Sequence, residues 1–334
     1  MLFSVIIPAY NARDHIGVAL ASLEVQTCRD FETVIVDDGS TDGTAEFLDS
    51  YAECHGAVTV IHQQNAGPLF ARCTGVAAAS GDYILFLDAD DEFVPSAFEV
   101  IATQIEKTNA DIVMFSFAQN SGTGLIGCSS DMEGGIYECA DYMKVKVAIC
   151  AGQNSNLWSK SIRRTLFDHN DCPPCKGLKH GEDWYQLFPL VDAANSLAVI
   201  TDQLYVYNQG DQSGTASYSL TQLEDIRVAC RQLWFYAEKW GGDCIRAAAR
   251  GELLNYIYLV KISERSSVSR AKKNANVVEI SDAMHREGTF QRCSDATLRL
   301  DNRLIVKALE SRCCLLVRLV AHAVEKVKDG RKLL

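Results

Sequence analysis

The 334-residue chain contains no run of 18 or more apolar residues, so nothing in it reads as a bilayer-spanning helix. Its opening, Met1-Leu2-Phe3-Ser4-Val5-Ile6-Ile7-Pro8, lacks the basic stretch and small-residue cleavage site of a secretory signal, and none is expected. Basic residues are scarce early on: within positions 1–140, Arg13, Arg29, Arg72 and Lys107 stand against 21 acidic residues. That imbalance excludes a nucleic-acid-binding face there, which would need a basic stripe. The Gly-x-Gly-x-x-Gly loop of a dinucleotide-binding enzyme is also missing after the first apolar run, where Ile7-Pro-Ala-Tyr-Asn11 stands instead. Only 6 prolines punctuate a sequence that is 48% hydrophobic, which excludes disordered and fibrous classes. The 13 cysteines are odd in number, and the sole Cys-x-x-Cys, Cys172-Pro-Pro-Cys175, has no second pair at zinc-site spacing. They are expected to be reduced, mostly buried thiols of a cytosolic protein.

What is present alternates. Short β-branched runs at Ser4–Pro8, Thr33–Val36, Val58–His62, Tyr83–Leu87 and Asp111–Phe117 predict strands. Between them, 13–27, 44–54, a segment opening at Asn65-Ala-Gly67-Pro68, and 95–108 predict helices. Strand-helix alternation with continuously apolar strands implies an α/β fold: a mixed, mostly parallel sheet with helices on both faces. Further on, Ser121–Gly135 reads as a loop or hairpin, Glu182–Ala194 as a helix, and Leu197–Ile200 and Leu204–Tyr207 as strands. Helices are expected over 221–240, 243–265, 274–288 and 301–328. The composition shifts near residue 220. That gives a first domain over 1–218, divided into a nucleotide-binding part (1–118) and an acceptor and catalytic part (119–218), then a helical C-terminal region over 219–334.

Ligands of parallel sheets bind beyond the carboxyl ends of the strands. There the sequence places Pro8, Tyr10 and Asn11; Asp37-Asp38-Gly39-Ser40; and Asp88-Ala89-Asp90-Asp91-Glu92. Helix capping accounts for one carboxylate of the last group, not four. Asp88 and Asp90, two apart in an extended turn, suit a hard divalent cation such as Mg²⁺ or Mn²⁺ completed by phosphate oxygens and water. With so few basic side chains nearby, an anionic ligand needs such a cation or backbone N–H groups. Arg72 could meet a phosphate or balance the acid cluster, the former being preferred.

Taken together these stretches resemble the family 2 glycosyltransferases of the GT-A (Rossmann-like) fold. The resemblance is carried by Ser4-Val-Ile-Ile-Pro-Ala-Tyr-Asn11, Val34-Ile-Val-Asp-Asp-Gly-Ser-Thr-Asp42, Asn65-Ala-Gly67 with Ala71-Arg72, and Gly81-Asp-Tyr-Ile-Leu-Phe-Leu-Asp-Ala-Asp-Asp91. It continues more weakly through Trp158-Ser-Lys160, Gly181-Glu-Asp-Trp184 and Tyr205–Ser213. It implies inverting transfer from a nucleotide-diphosphate sugar, commonly a UDP-sugar, to a hydroxyl of a glycan or lipid-linked saccharide. On that reading Pro8, Tyr10, Asn11, Asp38, Arg72 and Asp88 bind the donor nucleotide. Asp90 with Asp88 holds the metal, Mn²⁺ or Mg²⁺, and Asp183 is the general base. Glu182, Trp158 and Lys160 are candidates for acceptor or sugar contact. Related enzymes often carry a cation after the Tyr-x-Tyr strand; here Asn208-Gln-Gly-Asp211 has none, leaving Lys160, Lys176, Lys179 and His180 as substitutes. A catalytically silent nucleotide-sugar-binding or scaffold protein of the same fold is the competing reading, opposed by the complete motifs.

The tail, 299–334, has nine basic and four acidic residues interleaved with Leu304, Ile305, Leu309, Leu316 and Leu319. Such a helix suits either peripheral contact with the inner face of the cell membrane or packing on the acidic first domain. The expected location is cytoplasmic in both cases.

Overall fold

The computed structural model describes residues 1–120, 124–128, 132–168, 177–208, 218–294 and 296–322. The chain divides into two compact units, one of 1–145 with 154–210 and the other of 146–153 with 211–334.

The first unit is built on strands β1 (Phe3–Ala9), β2 (Phe31–Asp37), β3 (Val58–His62), β4 (Tyr83–Phe86), β5 (Glu92–Phe93), β6 (Ile112–Asn120), β7 (Leu125–Cys128), β8 (Gly135–Glu138), β9 (Lys160–Arg163) and β10 (Ser196–Asn208). Its helices are α1 (Ile16–Glu24), α2 (Thr44–Cys54), α3 (Pro68–Ala78), α4 (Ala97–Thr108), α5 (Tyr142–Cys150, which runs into the second unit), α6 (Thr165–Asp168) and α7 (Glu182–Ala193). One mixed sheet runs in the order β3-β2-β1-β4-β9-β6-β10-β5, with β7 on β6 and β8 on β10. Strands β3, β2, β1 and β4 are parallel, and the antiparallel β9 lies between β4 and β6.

Strand alternation assigns the two faces. Val5 and Ile7 join Ile16 and Leu20 of α1 and Phe98 and Ile101 of α4 in one core. Ile6 faces α3, and a Cβ on Gly75 of that helix would lie 2.3 Å from the Ile6 side chain. Only glycine permits α3 to lie so close to the sheet, and this sets the height of Arg72 three residues earlier.

The expected first-half elements are present, with α2 and β3 at the predicted bounds. Three expectations in this unit and among the cysteines are corrected. β9 was not expected, because Lys160 at its start breaks the apolar pattern of a buried strand. The two expected strands 197–200 and 204–207 are one strand, β10, whose register shifts between Ile200 and Tyr205 as exposed Thr201-Asp202-Gln203 interrupts the apolar run. The segment 121–135, expected as a loop or hairpin, does contribute a hairpin strand, β7, antiparallel to β6, and at its end the start of β8; 121–123 and 129–131 lie outside the described residues. Of the 11 described cysteines, only Cys150, Cys230, Cys244 and Cys293 are buried, fewer than expected; Cys172 and Cys175 lie outside the described residues.

The second unit is helical: α8 (Leu220–Trp240), α9 (Asp243–Arg265), α10 (Arg270–Arg286), α11 (Thr289–Arg292) and α12 (Leu300–Glu310), with 314–322 also helical. The single expected helix 301–328 is therefore broken: at Ser311–Cys313 the chain turns, with Arg312 at φ 55°. Ile305, Leu309, Val317 and Ala321 are buried in this unit's own core, with Leu253, Tyr256 and Ile280. Leu300, Leu304, Leu315, Leu316 and Leu319 are exposed. Among the described residues no helix is long and apolar enough to cross a membrane.

Candidate active site

The carboxyl ends of β1, β2 and β4 open on one rim. After β1, Asn11 adopts φ 49°, a conformation Asn tolerates well. Its amide oxygen accepts from Thr41 N at 2.8 Å, and its N–H donates to Ser40 Oγ at 2.9 Å, fastening the two loops together. Pro8 is half-buried in β1, and Tyr10 is 53% exposed on the rim.

After β2 the two aspartates diverge. Asp37 accepts from Ser40 N at 3.1 Å and pairs with His62 Nδ1 at 2.9 Å. Its pKa is lowered, hydrogen bonds from Ser40 and His62 outweighing the opposing desolvation. Asp38 is buried and accepts from Gln63 Nε2 (2.7 Å), Ala66 N (2.9 Å) and Gly67 N (2.8 Å). Most of its acceptor capacity is thus spent on holding the 63–67 loop, where a contact to a base was expected. Gly39 makes the turn possible: at φ 77°, a Cβ there would lie 2.9 Å from Asn65 N.

The acid turn after β4 is locked from β10. Tyr205 Oη donates to Asp91 Oδ2 at 2.7 Å and accepts from Asp88 N at 3.2 Å. Asn208 donates through N to Asp91 Oδ1 (2.8 Å) and through Nδ2 to Asp90 O (2.9 Å) and Glu92 Oε1 (3.1 Å). Asn208, flagged in the sequence only for standing where a cation was expected, shapes the turn instead. Asp91, also unassigned there, is fully buried; desolvation and the Asp88 charge push it up to about 8 despite its two donors. Residues 209–213, and Lys176, lie outside the described residues.

Arg72 is where the expectations meet, and where one is corrected. Its guanidinium, 4% exposed, donates to Asp183 Oδ1 at 2.6 Å and to Asp88 Oδ1 at 3.1 Å, with Glu182 Oε1 at 3.5 Å. It balances the acid cluster rather than standing free for a phosphate. Its pKa is raised, the three carboxylates overcoming burial. Nε, though buried, has no partner among the described residues. Glu182 is driven up to about 7 by desolvation and by Asp183, with Arg72 opposing. Asp88 is likewise raised, desolvation and neighbouring acids exceeding the Arg72 contribution. Among the described residues one guanidinium thus meets three carboxyl groups, and the raised values of Glu182 and Asp88 reflect that crowding.

Asp183 and Glu182 open α7, and Gly181 precedes them at φ 75°. Asp183 Oδ2 accepts from Leu157 N at 3.2 Å, so both its oxygens are held. Trp158, half-buried, stacks on Tyr205 (centroids 4.6 Å apart) and Tyr207 (5.8 Å), with Phe117 edge-on. Its ring therefore belongs to an aromatic cluster of β6 and β10. Lys160 is fully buried, and Nζ donates to Asn154 O, Asn156 O and Asn156 Oδ1. Its expected contact with a sugar, or with a diphosphate, is overturned: the ammonium is enclosed by its own loop.

No cluster of three or more His, Cys, Asp or Glu side chains that could hold a metal occurs among the described residues. Asp90 is exposed, its carboxylate has no hydrogen-bond partner among the described residues, and Asp88 keeps one oxygen clear of Arg72. Two hard oxygen donors beside open solvent fit a Mg²⁺ or Mn²⁺ ion that takes its other ligands from phosphates and water.

Residues 4–155 match the model of the family described as glycosyl transferase family 2. An uncharacterized glycosyltransferase of Escherichia coli, YibD, is 42% identical over 109 residues, 33% of this chain and 32% of that one. EpsJ of Bacillus subtilis, also described as an uncharacterized glycosyltransferase, is 29% identical over 216 residues, covering 64% and 63%. The chain thus spans from about a third to under two thirds of the length of these curated relatives. Among solved structures, TarS 1–349 of S. aureus superimposes with TM-score 0.69 at 20% identity, covering 98% of this chain and 92% of that one. The same TarS fragment is known in complex with UDP-GlcNAc (TM-score 0.66). A mannosyltransferase of Pyrobaculum calidifontis, in complex with GDP-Man and Mn²⁺, aligns with TM-score 0.55 at 18% identity. These likenesses establish the fold, a GT-A-type sheet.

Proposed function

We propose that the chain, whose residues 4–155 match the model of glycosyl transferase family 2, is a glycosyltransferase of that family that moves a sugar from a UDP-sugar to a hydroxyl of a glycan or lipid-linked saccharide, inverting the anomeric centre. One observation carries the reading. Asp88 and Asp183, far apart in sequence, converge on the single guanidinium of Arg72. The carboxylate that faces the donor diphosphate and the carboxylate that takes the proton thus lie within one side chain's reach. UDP as the nucleotide is supported by the UDP-GlcNAc complex of the similarly folded TarS.

Asp183 takes the proton from the acceptor hydroxyl as that oxygen attacks the anomeric carbon, a role worth about 10²–10⁴-fold. Arg72 and Leu157 N orient it, and Glu182 flanks the acceptor side. Tyr10 and Asn11 line the nucleoside pocket, whose wall Asp38 braces. Asp88 and Asp90 would hold Mn²⁺ or Mg²⁺, which when bound supplies Lewis-acid stabilisation of the leaving diphosphate.

A thermal-shift panel of UDP- and GDP-sugars, with and without Mn²⁺, tests donor and metal together. Stabilisation by a UDP-sugar that needs Mn²⁺ and disappears in Asp90→Ala is expected. Asp183→Asn should keep that stabilisation and lose UDP release by about 10²–10⁴-fold. Normal turnover by Asp183→Asn would remove it from the role.

A further inference from the structure

We propose that Lys160 is a positioning residue for Asp183: its buried ammonium fixes the 154–159 loop so that the Leu157 N–H is aimed at the base. The inference rests on the reading of Asp183 as the base. A fully buried lysine is costly unless compensated, and among the described residues this one has no bonded carboxylate. All its bonds go to one loop: Asn154 O at 2.7 Å, Asn156 O at 2.5 Å and Asn156 Oδ1 at 3.3 Å. Asn154 sits at φ 50°, the strained bend that this grip closes over.

The loop is tied at both ends of the grip. Ser159 Oγ donates to Asn156 Oδ1 at 3.0 Å, and Lys160 N donates to Leu157 O at 3.1 Å. Ser159 O accepts from Phe115 N of β6 at 3.0 Å, anchoring the turn to the sheet. Between these fixed points the Leu157 N–H meets Asp183 Oδ2 at 3.2 Å, while Arg72 holds Oδ1. The base is therefore gripped from two elements, α3 through Arg72 and the 154–159 loop through Leu157. A methionine would fill the Lys160 site without burying charge; the ammonium's distinctive contribution is three donors that shape this loop. Burial draws its pKa down to about 7, with the Asp183 charge acting the other way, so the two groups sense each other as well.

The test is Lys160→Met beside Asp183→Asn, assayed by UDP release from the UDP-sugar that binds best in the panel above. Loss of kcat on the order of 10–100-fold is expected for a base displaced by a fraction of an ångström to an ångström, with donor affinity by calorimetry unchanged. Wild-type kcat in Lys160→Met overturns the proposal, as does a parallel fall in kcat and donor affinity. Turnover by Asp183→Asn would sink the base assignment itself, a distinguishable failure. Should Lys160→Met not fold, Asn156→Ala removes the oxygen shared by Lys160 and Ser159; severalfold lower kcat at constant donor affinity supports the proposal, and unchanged kcat overturns it.

Discussion

Each unit buries an arginine–carboxylate cluster, and the two are balanced in opposite ways. In the helical unit, Glu252 is fully buried, and its oxygens accept from Arg292, Thr289 and Trp234 at 2.6–3.2 Å. Arg292 also lies over the Trp234 ring, 5.0 Å from its centroid. One anion meets one cation and further donors, so nothing is left over. On the sheet's rim, Arg72 meets three carboxylates, its Nε is orphaned among the described residues, Glu182 rises to about 7 and Asp91 to about 8. A satisfied cluster of this kind stabilises a fold. An unsatisfied one at the mouth of a parallel sheet is poised for a ligand.

The largest expected effect is at the satisfied cluster. Glu252→Ala strands the donors of Thr289 and Trp234 and should destabilise the protein by about 3–5 kcal/mol, read by denaturant unfolding. Donor affinity of the remaining folded protein should be unchanged. A mild loss of stability together with lost donor binding would erase the contrast between the units.

Arg72→Met should invert that pattern. Its three partners are partly exposed, with side chains 17–29% accessible, so they can hydrate or take up protons when the cation goes. Stability should fall by only about 1–2 kcal/mol. UDP release should fall on the order of 10²-fold, because Asp183 loses its Oδ1 anchor. A stability loss matching that of Glu252→Ala, with activity retained, would make Arg72 an ordinary structural residue.

How far the sequence revealed this contrast depends on how local each signal is. The strands and helices of 1–118 are legible because their periodicity is short-range and each site segment directly follows a strand. Asp88, Asp183 and Arg72 were singled out, and Arg72 balancing the acid turn was the less favoured of two alternatives; its convergence with Asp183 was not foreseen, since it joins residues through a sheet order that periodicity does not encode. Lys160 misled for a related reason. A lysine is expected at the surface, but this one begins β9, a strand inserted between β4 and β6, and its ammonium is enclosed by its own loop. The Glu252 cluster was invisible in the sequence, because glutamate and arginine on helices are ordinary solvent-facing residues until packing turns one face inward.

The smallest effect is the most discriminating, because above pH 5 the sheet unit should lose stability as pH rises while the helical unit should not. Glu182 and Asp91 keep protons in the folded state up to about 7 and about 8, whereas in the unfolded chain carboxyls release theirs near pH 4. Between those limits the native state binds more protons, so the stability they contribute is present at low pH and lost as pH rises through 7–8. His62, raised by its hydrogen bonds to Asp37 and Asp49, acts in the same direction, so His62→Gln is the control beside Glu182→Gln. In the helical unit, Glu287 is lowered by the hydrogen bond from Arg227, despite some opposing desolvation. Its contribution is present above the unfolded carboxyl value and lost only as pH falls through its own. Region-resolved hydrogen exchange between pH 5 and 8.5, corrected for intrinsic rates, should show protection of the sheet unit declining with pH while that of the helical unit holds. Glu182→Gln should flatten the decline, and Mn²⁺ should do the same by compensating the rim charge. Equal slopes in both units, or a decline indifferent to both changes, would mean that the crowded rim carboxyls are compensated without a ligand.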